Sequence, residues 1–346
     1  MLAGSGNGEG FDRLGPNGVL ALKIGILGGG AWGTALAQVA AGGGETLLWA
    51  LEPEVVEGVN RDHENRLFLA GVPLDPAIRA TGDLDALAAC DALLVVTPAQ
   101  HMRKVLAAMP ALDVPLILCA KGMEEATMAL MHDVAREAQP DAPVAVLSGP
   151  TFAHEVAAGL PAAVTLAVPD PALGERLRAR IARPWFRPYL SDDVTGAEIG
   201  GAVKNVLAIA CGVVEGRRLG QNARSALISR GFAEMTRFGL ARGARAETLA
   251  GLSGLGDLVL TCSSTSSRNF SLGKGLGEGR RAADLLADRR TVAEGAHTAP
   301  VLARAARDAG VDMPIVSAVC ALLAGEQSVD EVVERLLSRP LRSEGV

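Results

Sequence analysis

The chain has 346 residues, of which 49% are apolar and 21% are charged, and its formal net charge is −6. This composition is typical of a globular protein, and the length predicts about two domains. The sequence has no long run of Lys or Arg, and together with the negative charge this argues against nucleic acid as a partner. An anionic ligand would therefore have to be bound by a few local groups.

The use of Cys and His limits the class of protein further. The five cysteines, at positions 90, 119, 211, 262 and 320, have no C-x-x-C spacing, and most lie in aliphatic runs. This pattern indicates the reduced thiols of a cytoplasmic protein. The five histidines are scattered without the spacing of ligands, so we predict no metal site. No uninterrupted apolar run reaches the roughly 18 residues that span a bilayer, so we expect no membrane span.

The first predicted elements are a strand, a tight turn and a helix. The mainly aliphatic run at residues 22–27 is typical of a buried parallel strand, and Gly28, Gly30 and Gly33 follow as G-x-G-x-x-G. Gly28 would allow the tight bend, Gly30 the close approach of a pyrophosphate, and Gly33 the packing of helix on strand. A second predicted strand ends near Ala50. This context favours a dinucleotide site over the alternative, a glycine turn that binds no nucleotide.

Strands and helices continue to alternate up to about residue 192. Strands are predicted at 92–98, 115–122, 143–150, 162–168 and 185–191, and helices at 83–91, 100–109, 124–138 and 171–182. The alternation predicts an α/β fold with a doubly wound, mostly parallel sheet of Rossmann type. The remaining pattern is helical. We therefore predict a dinucleotide-binding domain at 19–192 and an all-helical substrate domain at 193–340, after a Gly-rich, disordered extension at 1–18 that lacks a signal-peptide pattern.

The end of the second strand bears on the choice of cofactor. An acidic residue near this position usually binds the ribose diol of NAD, and Glu52 stands about where it is expected. No Arg occurs between Trp49 and Glu57 to accept the 2′-phosphate of NADP. These residues slightly favour NAD, while a solvated loop charge is the open alternative for Glu52.

Two further loops follow predicted strands at the edge where ligands bind to such sheets. Lys121 comes directly after one strand, and Ser148, Gly149 and Thr151 come at the end of the next. A lysine at this position can anchor an anion or a carbonyl group. An ordinary surface lysine is the alternative.

The predicted helix around residues 197–214 carries a Lys inside an apolar stripe. Ile199, Val203 and Leu207 follow helical spacing, and Lys204 and Asn205 are set among them. Burial would lower the pKa of Lys204 from about 10.4 toward neutrality, where the amine can take and return a proton. A lysine whose ammonium reaches water is the alternative.

The stretch "GLSGLGDLVLTCSSTSSRNFSLGKGLG" combines an acid, hydroxyls and an Arg-Asn pair. Arg268 offers a planar fork of donors and Asn269 an amide, which together with the preceding serines suit a phosphate monoester. Asp257 is placed to hold either a substrate hydroxyl or the Lys204 ammonium. A solvated Ser-rich loop is the alternative, but it leaves the apolar "LVLTC" unexplained.

These stretches, in this order, resemble the bacterial NAD(P)-dependent glycerol-3-phosphate dehydrogenase family. The similarity runs from about residue 23 to beyond residue 314 and includes "GGGAWGTALA", "LSGPTFAHEVAAGLPAA", "EIGGAVKNVLAIACGVVEG", "NARSALISRG" and "GLSGLGDLVLTC…SRN". The last two are far more specific than a glycine turn. The resemblance implies hydride transfer between a nicotinamide and sn-glycerol 3-phosphate or dihydroxyacetone phosphate. It also implies a supply of glycerol 3-phosphate for phospholipid synthesis.

The resemblance further implies roles for individual residues. Lys204 would be the proton acceptor. The substrate would be bound by Lys121, Gly149, Thr151, Lys204, Asp257, Ser267, Arg268 and Asn269. The cofactor would contact Ala31, Trp32, Lys121, Ala153, Arg268, Val292 and Glu294, beside the glycines and Glu52 named above. Lys121 and Arg268 would thus lie where the two ligands meet.

Three departures from the family pattern affect these expectations. Ala31 stands where the family often has Ser, and Thr151 stands where Ser is common, so that one hydroxyl is lost and one is kept. The segment "ALEPE" lacks the Arg often found after the second strand, which again favours NAD over NADP.

Two other functions would share part of this pattern. A β-hydroxyacid dehydrogenase would also combine a Rossmann domain with a helical domain and a catalytic Lys, but its carboxylate substrate does not need the Ser-Arg-Asn cluster. A dinucleotide sensor without catalysis would not need both lysines, Asp257 and the Arg-Asn pair. Helical second domains often carry a dimer interface, so a homodimer is one expected assembly, and the sequence leaves the oligomeric state open.

Overall fold

The structure is a computed structural model that describes residues 22–287 and 293–340. The extension predicted at residues 1–18 and the cofactor contact expected from Val292 lie outside these ranges.

The first part of the described chain forms one eight-stranded sheet with strand order β3-β2-β1-β4-β5-β6-β7-β8. The strands are β1 Ile24–Leu27, β2 Thr46–Trp49, β3 Ile78–Thr81, β4 Ala92–Val95, β5 Leu116–Leu118, β6 Val144–Ser148, β7 Ala162–Ala167 and β8 Phe186–Ser191. All neighbours are parallel except β6 and β7. The strand order reverses between β1 and β4, and ligands of doubly wound sheets bind in the crevice at this switch point. The predicted Rossmann-type sheet is confirmed.

Helices cover both faces of the sheet, which explains why its central strands are aliphatic throughout. β1 and β4 are buried at every position, as expected of parallel strands between two helical layers. The helices of this part are α1 Ala31–Ala41, α2 Pro53–Glu57, α3 Ala99–Ala107, α4 Met131–Ala138, α5 Ala153–Ala157 and α6 Pro171–Ile181.

A buried arginine fixes the far end of α1. Arg180 in α6 is fully buried and donates hydrogen bonds to the carbonyl oxygens of Leu22, Ala40 and Glu45 at 2.8, 2.7 and 3.3 Å. Burial lowers the pKa of this guanidinium to about 10. Its charge lies at the C-terminal end of α1, where the helix dipole favours a cation. The opposite end of α1 faces the switch point.

The sequence analysis omitted one strand and was wrong in detail about two helices. β3 was missed because it is a short edge strand in which the Arg79 side chain is exposed. The short helix at 83–91 is a 3-10 turn at Asp85–Ala89. The helix predicted at 124–138 begins only at Met131, because residues 123–130 form a loop in which Met128 has a φ of 59°.

The second part of the described chain is helical, as predicted. It contains α7 Val194–Gly216, α8 Gln221–Ala241, α9 Ala246–Leu249, α10 Asp257–Thr261, α11 Arg268–Gly277, α12 Ala282–Leu286, α13 Glu294–Asp308, α14 Pro314–Ala324 and α15 Val329–Leu337. α7 runs through the centre of this part, and its N-cap is Asp193, whose side chain accepts a hydrogen bond from the Gly196 backbone at 2.8 Å.

Glycines on both α7 and α11 let these helices touch backbone to backbone. A Cβ at Gly212 would lie 2.0 Å from the Phe270 carbonyl oxygen, and one at Gly273 would lie 1.9 Å from the Ile209 carbonyl oxygen. Larger side chains at these positions would push the helices apart. The close packing therefore sets where the N-terminus of α11 lies relative to α7.

α7 also bears on the expectation of no membrane span. By length and composition it is the one helix within the described ranges that could cross a bilayer. However, 94% of its most apolar window is buried inside the protein. Its apolar residues form the core of the helical part.

Candidate active site

Two lysine ammonium groups share one buried carboxylate at the junction of the two parts of the chain. Lys204 donates to Oδ1 of Asp257 at 2.8 Å, and Lys121 donates to Oδ2 at 2.6 Å. The Asp257 side chain is fully buried, and the side chains of Lys204 and Lys121 are 8% and 15% exposed. Each oxygen of the carboxylate thus has its own cation, which offsets the cost of burying the charge.

Three different segments bring these side chains together. Lys121 follows β5 at the carboxyl edge of the sheet, Lys204 lies in the middle of α7, and Asp257 begins α10 after a single π-helical turn. α7 can approach the sheet closely at Gly201, where a Cβ would lie 3.2 Å from Cγ of Lys121. The lysine is therefore held against the helix that carries the other lysine.

Burial gives Lys204 an ammonium that can titrate near neutrality. Burial lowers the pKa of Lys204 to about 8, and the nearby positive charge of Lys121 acts in the same direction. The carboxylate of Asp257 opposes both effects. With a pKa near neutrality, the ammonium form of the lysine can donate a proton and the neutral amine form can accept one.

Thr261 and Asn205 complete the cluster, and sequence reasoning assigned neither of them to the site. Lys204 donates a second hydrogen bond to Oγ1 of Thr261 at 2.7 Å, and Nδ2 of Asn205 lies 3.5 Å from the Lys121 carbonyl oxygen. Thr261 follows Asp257 by four residues, so both side chains lie on one face of α10. That spacing was the signal in the sequence that could have identified Thr261.

The loop after β6 also turns toward Lys121. Gly149 has a φ of 156°, and its carbonyl oxygen accepts hydrogen bonds from Lys121 at 3.1 Å and from Thr151 at 3.3 Å. A Cβ at Gly149 would lie 2.9 Å from Cα of Val164. The close approach of β7 therefore requires glycine here.

The expected phosphate-binding residues lie at the N-terminus of α11. Ser267 is its N-cap and accepts a hydrogen bond from the Phe270 backbone at 3.2 Å, so its hydroxyl serves the helix. Oδ1 of Asn269 accepts from the Gly295 backbone at 2.9 Å, which points to Nδ2 as the donor left for a ligand. Arg268 is exposed and forms no hydrogen bond or ion pair with the described residues. An exposed guanidinium at a helix N-terminus suits an anion.

Glu294, at the start of α13, lies near the same cations. Burial raises the pKa of its carboxyl group, while Lys121, Lys204 and Arg268 oppose this shift. The close contact between α13 and α7 holds it there, since a Cβ at Gly295 would lie 2.6 Å from the Asn205 carbonyl oxygen. The structure thus brings Glu294, an expected cofactor contact, near the expected substrate-binding residues Lys121, Lys204 and Arg268.

The glycine turn before α1 has the shape of a phosphate cradle. Gly28 has a φ of 131°, and a Cβ at Gly33 would lie 1.8 Å from the Gly28 carbonyl oxygen, so neither position tolerates a side chain. At Gly30 the space is open, with no atom within 4 Å of a Cβ position. Ala31 and Trp32 follow as the first residues of α1, whose N-terminal N–H groups have no side-chain cap.

An unpaired hydroxyl next to this turn indicates that a ligand belongs there. Thr97 follows β4 and is 5% exposed, yet its Oγ1 has no hydrogen-bond partner. Its backbone lies against the glycine turn, since a Cβ at Gly28 would lie 3.3 Å from the Thr97 nitrogen. Buried hydroxyls without partners are rare in native proteins. The residues at the switch point therefore fit a dinucleotide, and Thr97 was missed from sequence.

The other expected cofactor residues lie at the rim. Glu52 is the N-cap position of α2, is partly exposed and makes no side-chain capping bond. Leu51 beside it is 74% exposed. Ala153 begins α5 and is partly exposed. Within residues 22–287 and 293–340, no cluster of three His, Cys, Asp or Glu side chains is arranged to hold a metal ion.

Comparison with known proteins decides the family. The model of the N-terminus of NAD-dependent glycerol-3-phosphate dehydrogenase matches residues 23–174, and the model of its C-terminus matches residues 193–334. The chain belongs to the NAD-dependent glycerol-3-phosphate dehydrogenase family. The first range covers strands β1 to β7 of the sheet, and the second covers the helical part described above.

Relatives in this family cover nearly the whole chain. A glycerol-3-phosphate dehydrogenase [NAD(P)+] from Erythrobacter litoralis is 67% identical over 93% of this chain and 98% of its own length. One from Novosphingobium aromaticivorans is 64% identical over 94% of this chain and 99% of its own length. The crystal structure of glycerol-3-phosphate dehydrogenase from Coxiella burnetii is 36% identical, with a TM-score of 0.87 over 92% of this chain and 99% of that one.

Proposed function

We propose that the protein is an NAD(P)-dependent sn-glycerol-3-phosphate dehydrogenase that interconverts glycerol 3-phosphate and dihydroxyacetone phosphate. The observation that carries the proposal is the pair of lysines on Asp257, close to Arg268 at the N-terminus of α11, which has no partner among the described residues. An amine that titrates near neutrality and an anion site are what acid-base chemistry on a phosphorylated ketone requires. The names of the relatives agree with this activity.

Lys204 moves the proton. In reduction its ammonium gives a proton to the C2 oxygen, and in oxidation the neutral amine takes that proton back. Asp257 and Thr261 hold Nζ through hydrogen bonds of 2.8 and 2.7 Å, so the amine enters the reaction already oriented. The nicotinamide, when bound, supplies or accepts the hydride. General acid-base help of this kind contributes about 10²–10⁴-fold to the rate.

Lys121 and the α11 N-terminus bind and orient the substrate. Lys121 places a positive charge beside Asp257, where it stabilises negative charge that develops on the C2 oxygen. Arg268 and the Nδ2 group of Asn269 bind the phosphate, with Ser267, Gly149 and Thr151 shaping the loops around it. Binding energy at the phosphate then positions C2 for reaction.

The cofactor site is assigned to the switch point of the sheet. Gly28, Gly30, Gly33, Ala31 and Trp32 would hold the pyrophosphate region, and the Thr97 hydroxyl adds a donor. The other assigned contacts are Lys121, Ala153, Arg268, Val292 and Glu294. NAD is slightly favoured over NADP, because Glu52 is acidic and Leu51 offers no positive charge to a 2′-phosphate.

Four wider assignments go with this function. The dinucleotide-binding domain comprises residues 19–192 and the helical domain residues 193–340. The enzyme works in the cytoplasm, which the five unpaired cysteines support, and it supplies glycerol 3-phosphate for phospholipid synthesis. A homodimer formed through the helical domain is the proposed assembly.

The deciding experiment is the loss of reduced-nicotinamide absorbance with dihydroxyacetone phosphate, with NADH and NADPH compared in parallel. Rapid oxidation of NADH, with NADPH much poorer, is expected. Equal use of both cofactors would support the dehydrogenase activity but would contradict the preference for NAD that is assigned to Glu52 and Leu51. A folded protein that binds NADH but oxidises neither cofactor would contradict the function.

A further inference from the structure

A second buried polar pair joins the sheet to the helical part, away from the catalytic cluster. Glu198 in α7 is 4% exposed, and both of its carboxylate oxygens face His132 at the start of α4. The His132 backbone donates to Oε1 at 2.9 Å, and Nδ1 of its ring lies 2.6 Å from Oε2. One side chain of the helical part is therefore held at two points by one residue of the sheet part.

Burial and the neighbouring charges shift the pKa values of both side chains in this pair. Burial raises the pKa of Glu198, although His132 opposes the shift. Burial opposes a charge on His132, yet the hydrogen bond to Glu198 and the charge of Asp133 leave its pKa raised. Asp133 lies 3.2 Å from Nε2, and Arg136 is the nearby cation that acts the other way. Buried pairs of this kind add little stability over apolar residues, and their best-attested use is to fix one arrangement.

The same face of α7 that carries Glu198 also lies against Lys121. Glu198, Gly201 and Asn205 follow i, i+3, i+7 spacing and so share one side of the helix. Gly201 packs on the Lys121 side chain, and Asn205 approaches the Lys121 carbonyl oxygen. Lys204 lies beside this face and reaches Asp257. The register of α7 against the sheet therefore sets the distance between the two lysines.

We infer that Glu198 and His132 are positioning residues that hold α7 in register with the sheet, so that Lys121 and Lys204 meet on the same carboxylate. Glu198 lies about 9 Å along the helix axis from Lys204. Without the pair, α7 can slide or rotate against β5, and the bridge through Asp257 opens. Displacements near 1 Å in an active site can lower turnover by about 10²-fold. The inference rests on the proposed function for its kinetic readout.

The test compares variants that remove the contact with one that keeps it. His132→Leu and Glu198→Leu remove the side-chain contact, whereas His132→Asn places an amide N–H where Nδ1 stands. Three quantities are measured for each variant. They are the kcat for dihydroxyacetone phosphate reduction, the Kd for NADH by fluorescence titration, and the thermal midpoint of unfolding. The Leu variants should lower kcat by about 10- to 100-fold while the Kd for NADH stays within about twofold. His132→Asn should restore most of kcat.

A matched control separates positioning from stability. Glu234 is another buried carboxylate that accepts backbone hydrogen bonds, from Ile315 at 2.7 Å and Val316 at 3.3 Å, but it lies outside the catalytic cluster. Glu234→Leu should lower the thermal midpoint without lowering kcat. If the His132 and Glu198 variants behave in the same way, with kcat intact, the pair only stabilises the fold and the inference is wrong.

A readout that needs no turnover keeps the inference separate from the proposed function. The pKa of the Lys204 ammonium can be followed by NMR titration of isotope-labelled lysines in the intact protein. Loss of register moves Lys121 away and admits water, and both changes raise that pKa in His132→Leu. An unchanged Lys204 titration would overturn the inference even if the wild type proved inactive on dihydroxyacetone phosphate. An inactive wild type by itself contradicts only the proposed function.

Discussion

The protonation state of the Lys204 amine determines which direction of the proposed reaction is favoured. Burial lowers the pKa of Lys204 to about 8 against the opposing charge of Asp257. The amine must be neutral to accept a proton and charged to donate one. We therefore expect kcat/KM for glycerol 3-phosphate oxidation to rise with pH through about 8, and that for dihydroxyacetone phosphate reduction to fall over the same range. Initial rates in both directions across this pH range test the expectation.

A variant without the amine is the control for that profile. Lys204→Met keeps most of the side-chain length, so NADH binding should be retained while kcat falls by about 10²–10⁴-fold. The inflection near the pKa of Lys204 should also disappear. A profile of unchanged shape in Lys204→Met would mean that another group moves the proton.

The hydroxyl of Thr97 provides an independent check on the cofactor site. Thr97→Val keeps the volume and removes an oxygen that has no partner in the free protein. The unliganded variant should be as stable as the wild type or more so, because an unsatisfied buried hydroxyl is destabilising. Its affinity for NADH should fall by about 2- to 10-fold, the value of one hydrogen bond of about 0.5–1.5 kcal/mol. Fluorescence titration with NADH measures it.

Thr97→Ser is the matched variant, since it retains the hydroxyl and loses only a methyl group. It should bind NADH nearly as the wild type does. If Thr97→Val binds NADH as tightly as Thr97→Ser, the hydroxyl makes no hydrogen bond to the dinucleotide.

The charged residues of the site were predicted from the sequence, but the hydroxyl groups of Thr97 and Thr261 were not. Lys204 was identified because lysines are rare in the apolar stripe of a helix. Asp257 was identified because it adjoins an apolar segment. The contact between Lys121 and Asp257 joins residues 136 positions apart, which no local pattern can reveal. Thr97 carries no distinctive signal, since a Thr at a strand end is common, and the only signal for Thr261 is its spacing of four residues from Asp257.

Helices and strands differ in how far the sequence determines them. The fully buried strands β1 and β4 and the long helix α7 were predicted because their apolar patterns are continuous. β3 was missed because only two of its four side chains are buried. Residues 123–130 look helical but form a loop, because Arg103 binds both oxygens of Glu124, at 2.7 and 2.8 Å, and holds the segment against α3.

The contact of α7 with α11 determines where the phosphate-binding residues lie. A methyl group in Gly273→Ala would lie 1.9 Å from the Ile209 carbonyl oxygen, so α11 must move away from α7. Arg268 and Asn269 at its N-terminus move with it. We expect a loss of stability of about 1–3 kcal/mol and a rise of at least about tenfold in the KM for dihydroxyacetone phosphate. Urea unfolding and steady-state kinetics measure the two effects.

Gly82→Ala is the control for adding a methyl group, because no atom lies within 4 Å of its Cβ position. It should leave both quantities unchanged. An unaltered KM in a correctly folded Gly273→Ala protein would separate the phosphate site from the α7–α11 contact.

The contact of α8 with α14 introduces a pH dependence of stability. Burial raises the pKa of Glu234 in the folded protein from 4.5 to about 7. A raised carboxyl pKa stabilises the fold below the unfolded value, and this contribution is lost as pH rises through the folded value. The free energy of unfolding should therefore fall between about pH 4.5 and 7, by a few kcal/mol at most. Glu234→Gln should flatten this part of the curve, whereas an equally steep fall in the variant would assign the dependence to other groups.

The catalytic cluster makes the two parts of the chain depend on each other. Lys121 comes from the sheet, Lys204 and Asp257 come from the helical part, and the Glu198–His132 pair adds a second polar tie across the same junction. Helix α7 contributes both to the helical core and to this junction. Neither part can therefore unfold without exposing groups that the other part covers, and we expect calorimetry to give one unfolding transition.

Cofactor binding tests this coupling. The assigned NADH contacts lie mainly on the sheet, and a ligand that binds only the folded state stabilises it by about 2.7 kcal/mol at 100 times its Kd. If the chain unfolds as one unit, NADH should shift the single transition to higher temperature without splitting it. If the two parts unfold separately, NADH should move one transition and leave the other in place. The second outcome would mean that the lysine–aspartate cluster orients groups at the junction without holding the two parts together.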